Sequence, residues 1–265
     1  MDNTKEYRRI AVFGGIYSNY LALDATLKDA QARGAEAIFC LGDMGAFGPH
    51  PDRVFPLLKD AGVLAIQGNY DDSLATGKED CGCGYTDPQD NHFARISYAY
   101  TFRKTAPEHK AWLGTLPKQR RIRLGRYRTL LCHGSPRTIN EFLWESATPN
   151  GLIEKFLREE AADVILCTHT GIRWHRVLAD DRHLVNVGAI GRPENDGTTN
   201  VWYTLLTADD ELRVEFRPVH YDHKQLACEM ADEGLPSEFI ETIRAGWWTT
   251  CLEILPAKER ARGRY

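Results

Sequence analysis

Ile38-Phe39-Cys40-Leu41-Gly42-Asp43-Met44-Gly45-Ala46-Phe47-Gly48-Pro49 is the stretch whose reading decides the fold class. The short apolar run reads as a buried parallel strand, and the glycine-punctuated segment from Gly42 breaks it. An aspartate, Asp43, is thereby held at a strand's carboxyl end. After a helix over Val54 to Asp60, a second apolar run, Val63 to Gln67, ends in Gly68-Asn69-Tyr70-Asp71-Asp72. Asn69 is expected on the same rim, where open α/β sheets gather their ligands because loops from neighbouring strands converge there.

Working outward, Ile10 to Phe13 is followed by Gly14-Gly15-Ile16-Tyr17-Ser18-Asn19 and a helix with Leu23, Leu27 and Ala30 at helical spacing. Strand, turn and helix repeat through the next two strands, which predicts a parallel sheet with right-handed crossovers. A long loop, Leu74 to Asn91, carries Cys81-Gly82-Cys83-Gly84; helices are expected over 92–103 and 107–113. Arg120 to Arg128 reads as strand, turn and strand start, and the second strand delivers His133-Gly134-Ser135-Pro136-Arg137. Thr148 and Pro149 open a helix running to about Glu160, after which Val164 to Cys167 ends in Thr168-His169-Thr170-Gly171. Four short strands then predict a mostly antiparallel second sheet: 175–178, 183–187, 201–206 and 212–219. Helices near 224–233 and 236–246 close a chain taken as one domain over 1–265.

With 265 residues, 43% hydrophobic, the chain is long enough to bury a large core. Its formal charge of −4 gives no general pull toward nucleic acid or an anionic membrane, and no run approaches a membrane span. The charged N-terminus leads directly into a strand without a secretory apolar region, so a bacterial-type cytoplasmic protein is expected. Seven cysteines, an odd number scattered through an α/β pattern, predict reduced thiols. Trp247-Trp248 is expected against the body of the fold or in a homo-oligomer contact. Trp144 and Trp174 line the pocket or pack in the core.

Asp43, Asn69, His133 and His169 each follow an apolar strand directly or nearly so. Singly, each has an ordinary explanation as a turn residue or a hydrogen-bonded rim histidine. Together they are a carboxylate, an amide oxygen and two imidazoles in one topological position, a set suited to a borderline divalent ion such as Mn, Fe, Co, Ni or Zn.

These residues also carry a family resemblance. Gly42-Asp43 with Gly45, Gly68-Asn69-Tyr70-Asp71, His133-Gly134-Ser135-Pro136 and Thr168-His169-Thr170 resemble the GDxxG, GNxD, GHxxP-type and GHTH blocks of calcineurin-like metallophosphoesterases, in particular their small bacterial branch. Asn186 to Pro193 is similar to that branch's Asn-Pro-Gly-Ser loop, and the match is collinear from about Arg9 to Arg192. The resemblance implies a four-layered α/β/β/α sandwich, a parallel or mixed sheet packed on a second mixed sheet, with two metals about 3.5–4 Å apart that clamp a phosphate and activate water.

The resemblance breaks selectively. Gly15 and Tyr17 stand where the opening motif places an Asp and a His, and Gly171 stands at the second His of the GHTH block. Each unshared ligand of the first metal is therefore replaced, whereas the second metal's set, Asp43, Asn69, His133 and His169, remains. Losses confined to one shell imply remodelling to one metal or to a different first shell. Tyr17, Asn19, Cys81, Cys83 and His92 are candidate replacements; a Cys-x-Cys pair is weak, and a glycine-rich turn explains it better. Cys40, Cys132 and Cys167 read as core thiols.

Tyr70 takes the slot where many relatives carry a leaving-group His, with Asp71 to position it, and a phenol donates a proton less readily than an imidazole. Arg137, with Arg173, offers a phosphate clamp or is an ordinary ion-paired arginine. The basic run 118–128 and the tail 258–264 either attract phosphate or form solvated surface. Two functions remain open: a metal-dependent hydrolase of small phosphomonoesters or diesters, and a non-catalytic sensor or scaffold binding a phosphorylated ligand.

Overall fold

The computed structural model describes residues 5–261. The chain runs through β1 (Glu6–Tyr7), β2 (Arg9–Phe13), α1 (Tyr20–Ala32), β3 (Ala37–Cys40), α2 (Val54–Asp60), β4 (Leu64–Ala65), α3 (Asn69–Thr76), α4 (Pro88–Lys104) and α5 (Pro107–Gly114). It continues with β5 (Gln119–Leu124), β6 (Tyr127–Cys132), α6 (Asn150–Glu159), β7 (Val164–Cys167), β8 (Trp174–Leu178) and β9 (Arg182–Asn186). β10 (Val201–Ala208), β11 (Leu212–Val219), α7 (His223–Asp232), α8 (Ser237–Ala245) and α9 (Ala257–Ala261) complete it.

Two sheets form. One has the order β11-β10-β2-β3-β4, the other β1-β5-β6-β7-β9-β8. Strand alternation builds the layers, because successive side chains point to opposite faces. Ile10, Val12 and Phe39 of the first sheet meet Ile122, Leu131, Leu166 and Val185 of the second in one buried cluster. Their alternates face outward: Phe13, Ile38 and Cys40 pack beneath Leu23 and Leu27 of α1, while Leu130, Ile165 and Leu184 pack against Ile153, Phe156 and Leu157 of α6. The result is the expected α/β/β/α sandwich.

The expected second sheet is corrected. Only β8 and β9 of the four late strands join the six-stranded sheet; β10 returns to pair antiparallel with β2, Leu205 opposite Ala11, and β11 follows it. The register leaves Leu206 on the inter-sheet face and Tyr203 and Leu205 under the helices, so β10 is buried on both sides. The Leu74–Asn91 loop is also shorter than expected. Asn69 opens α3, and α4 begins at Pro88, where the Asp87 side chain caps the amides of Gln89 and Asp90. No described helix is long and apolar enough to cross a membrane. In the basic run, Arg121, Arg126 and Arg128 pair with Glu160, Asp181 and Asp163. The last residues of the basic tail, 262–264, lie outside the described residues.

Candidate metal centre

The site lies where the carboxyl ends of both sheets meet. Asp43 and Asn69 arrive from β3 and β4 of one sheet, and His133 and His169 from β6 and β7 of the other. Asp43 and His169 have left-handed backbones, φ 60° and 70°. For residues other than glycine this conformation is sparsely populated and persists only where surrounding structure enforces it. Asp71 supplies part of that structure, because its buried carboxylate accepts from the amides of Asp43 (2.7 Å), Met44 (3.0 Å) and Gly68 (2.9 Å). Asn186 does the same across the site, donating to the Thr168 carbonyl and Thr170 hydroxyl on either side of His169. Gly68 lets the loops touch, since a Cβ there would sit 2.3 Å from Asp43 Oδ1 and 2.9 Å from His133 Cε1.

The donor atoms converge. One ligand atom from each of Asp43, His133 and His169 lies within 4.8 Å of the others, all three residues buried. His133 Nε2 is 3.2 Å from Asp43 Oδ2 and 3.1 Å from His169 Nδ1. The outer nitrogens fix the tautomers: His133 Nδ1 donates to the Leu41 carbonyl at 2.6 Å, and His169 Nε2 to the Cys83 carbonyl at 3.2 Å. The inner nitrogens are thus two lone pairs facing each other beside a carboxylate, an arrangement that requires a proton or a cation between them. Asn69, on the same rim, carries an unpartnered acceptor. Its amide nitrogen is held by the Cys81 carbonyl at 2.9 Å, which orients Oδ1 the other way, and that buried oxygen has no hydrogen-bond partner. An unsatisfied buried acceptor costs about 1–3 kcal/mol, a cost that a bound cation removes. The clustered donors of Asp43, His133 and His169 therefore fit a divalent ion, and the orphaned Asn69 oxygen is compatible with one.

Charge at the centre follows the same contacts. Burial alone would raise the Asp43 carboxyl, but His133, His169 and the Tyr70 amide hold it below the ordinary carboxylate range. Burial pulls the His133 imidazole down, yet the Asp43 charge and hydrogen bond leave it above its ordinary value. His169 is pushed down to about 3, first by burial and then by His133.

Each other candidate ligand has a definite place. Tyr17 lays its ring over Gly15, where a Cβ would meet Tyr17 Cζ at 2.3 Å, and a Cβ on Gly171 would lie 3.9 Å from the Tyr17 hydroxyl. The phenol thus fills the side-chain space at Gly15 and reaches the neighbourhood of Gly171, and burial raises its pKa far above the ordinary tyrosine value. Asn19 is fully engaged, accepting from the Ala22 amide and donating to the Gly191 carbonyl. His92 packs its ring against Phe93. Cys81 and Cys83 are disulfide-bonded to each other, which corrects the expectation of seven reduced thiols; their carbonyls hold Asn69 and His169. Cys40, Cys132 and Cys167 are buried thiols held protonated by desolvation, as core packing requires.

A cavity of about 70 Å³ opens beside the centre, lined by Asp43, Tyr70, His169 and several aromatic side chains. The Tyr70 hydroxyl lies 2.8 Å from Ser97 Oγ, and its buried phenol has a strongly raised pKa. Asp71 touches backbone amides rather than the Tyr70 phenol, so its positioning acts on the Asp43 loop. Arg137, the candidate clamp, pairs with Glu141 and lies over Phe156, outside the lining of this cavity. Arg173 pairs with Glu194 and stacks on Trp202. Trp144 lines the cavity, whereas Trp174 packs in the α6 core with its indole on the Leu143 carbonyl. Sequence reasoning passed over Phe142, 4.3 Å from the His169 ring, and Arg192, which was read only as loop.

A family model for the calcineurin-like phosphoesterase superfamily domain matches residues 9–211. The chain belongs to that superfamily. An uncharacterised protein of Methanocaldococcus jannaschii is 27% identical over 251 residues, 89% of this chain and 98% of the relative. A metallophosphoesterase from Sphaerobacter thermophilus superposes with TM-score 0.70 at 24% identity, covering 90% of this chain and 99% of the other. A hypothetical protein from Pyrococcus horikoshii gives 0.76 at 22% identity over 91% and 99%. These similarities establish the fold of a calcineurin-like phosphoesterase, a family that works with divalent metals, and its general chemistry accords with the donor set above.

Proposed function

We propose that this calcineurin-like phosphoesterase hydrolyses small phosphate esters from a metal site remodelled to one ion, held by Asp43, Asn69, His133 and His169. The observation that carries this reading is the pair of inward lone pairs on His133 and His169 beside Asp43, completed by the orphaned Asn69 oxygen. A divalent ion there supplies Lewis acidity to a phosphoryl oxygen and to water. Asp43 and the two imidazoles neutralise and orient it, while Asp71 and Asn186 keep the loops in register. Tyr70 stays a neutral phenol over the cavity and acts as a hydrogen-bond donor toward the leaving group.

Tyr17 over Gly15 supports the single-ion form, because the phenol fills the space that a side chain at Gly15 would need. The same observation favours a second reading, a phosphate-binding protein without turnover, since one ion provides less charge stabilisation than two. Assays with phosphomonoesters and phosphodiesters across Mn, Ni, Co and Zn separate the two. Turnover that disappears in His133→Ala supports the hydrolase; no turnover with any ester or metal supports the binding protein.

A further inference from the structure

The cavity beside the quartet contains a charge that the metal ligands do not explain. Arg192 is only 8% exposed, and its guanidinium lies 3.7 Å from the Trp248 ring centroid and 5.7 Å from that of Phe47. Among the described residues no carboxylate comes within ion-pair distance of it, and its buried Nε has no hydrogen-bond partner. Its electrostatic neighbours are the Cys251 thiol, which is also its hydrogen-bonding side chain, and the Tyr17 and Tyr85 hydroxyls, none of them a carboxylate. The other two arginines considered, Arg137 and Arg173, each have a glutamate.

Burying a guanidinium without an anion is costly, and structures that hold one ordinarily pair it. Stacking on Trp248 recovers part of that cost as a cation–π contact and Cys251 engages one edge of the guanidinium, but Nε stays unmet and no anion is supplied. Guanidinium donors suit the oxygens of a phosphoryl group. Arg192 lines the same cavity as Asp43 and His169, so an anion in contact with the metal ligands is also within the space the guanidinium faces. It stands beside Tyr17, whose ring lies over Gly15.

The remaining walls are aromatic. Phe47, Phe142, Trp144 and Trp248 line the cavity, with Phe142 and Trp144 stacked 3° from parallel. The cavity is small, about 70 Å³ against the ~300–1,000 Å³ of ordinary small-molecule pockets.

We propose that Arg192 is the anion seat of this cavity. It binds the phosphoryl oxygens within the cavity it shares with Asp43 and His169, supplying positive charge where a second ion is lacking, and the aromatic walls select esters whose alcohol half is a single flat ring. The proposal rests on the metal-dependent reading above for its substrate class.

The test uses the full chain as purified, its metal content measured, titrated calorimetrically with the non-hydrolysable probes methylphosphonate and phenylphosphonate. Wild type is expected to bind phenylphosphonate about tenfold more tightly than methylphosphonate, a difference of ~1.4 kcal/mol. Arg192→Gln should weaken both by at least about tenfold with metal content unchanged, and Arg192→Lys should recover part of the loss. Unchanged affinity in Arg192→Gln at unchanged metal content overturns the proposal. Equal wild-type affinities for the two probes overturn the aromatic selection, and that comparison needs no variant should Arg192→Gln fail to fold. Wild-type protein without metal that still binds phosphonate through Arg192 would remove the metal reading while leaving the anion seat standing.

Discussion

His133 Nε2 and His169 Nδ1 face each other at 3.1 Å, and the outer nitrogen of each ring is turned to a backbone carbonyl. Neither inner nitrogen carries a hydrogen in the neutral tautomers these carbonyls select, so the space between them and Asp43 binds either a proton or a cation. The two compete.

Metal uptake should therefore release protons. The Asp43 charge holds the His133 imidazole above its ordinary value against the downward pull of burial, so protonation begins to displace metal at a higher pH than for a free imidazole. Apparent affinity should fall as pH is lowered, and calorimetry in buffers of different ionisation enthalpy should report proton release. Affinity independent of pH across the histidine range would contradict the assignment of His133.

Gly68→Ala places a Cβ 2.3 Å from Asp43 Oδ1 and 2.7 Å from its amide nitrogen, atoms that the Asp71 carboxylate holds in place. The loops must separate, at a cost of about 1–3 kcal/mol. A lowered thermal midpoint together with loss of bound metal is expected; loss of stability with full metal retention would mean that Asp43 is not a ligand.

Gly15→Asp alone should destabilise, because the Tyr17 ring occupies the space its Cβ needs and φ at Gly15 is +27°. Removing the ring with Tyr17→Ala should relieve the steric part, giving a favourable coupling of about 0.5–3 kcal/mol in a double-mutant cycle. Additive effects would show that the phenol does not fill that volume in solution.

His175 is a second, independent source of pH dependence. Burial first, then the neighbouring His183 at 3.0 Å, pushes its pKa down from 6.5 to about 4. The folded form keeps it neutral while the unfolded chain takes up the proton first. The stability it contributes is therefore complete above pH 6.5 and is lost as pH falls from there toward 4. His175→Gln should flatten the fall in thermal midpoint over that window; an unchanged slope would mean the imidazole is solvated.

Much of the centre was legible in the chain because each candidate ligand follows a short apolar run, and a strand end on an α/β rim is a fixed address. Asp43, His133 and His169 meet as that logic requires, and the alternation of Arg with Ile122 and Leu124 gives the half-buried β5 it suggests. What escaped were relations between distant segments. The antiparallel return of β10 onto β2 depends on which sheet has an open edge, and no local pattern encodes that. Phe142 and Arg192 lie in irregular segments without periodicity, and Arg192 is distinguished only by lacking the carboxylate that Arg137 and Arg173 possess. One miss was avoidable: Asp87-Pro88 is an N-cap followed by proline at the first helical position, a start signal for α4 four residues before the expected one.

The most direct measurement is elemental analysis of the purified full chain beside His133→Ala and Asn69→Leu. About one divalent ion per chain is predicted for the wild type, near none for His133→Ala, and occupancy lowered in Asn69→Leu through loss of the Oδ1 donor. Wild-type protein that takes up no ion, or His133→Ala protein that retains the wild-type amount, would contradict the metal centre described.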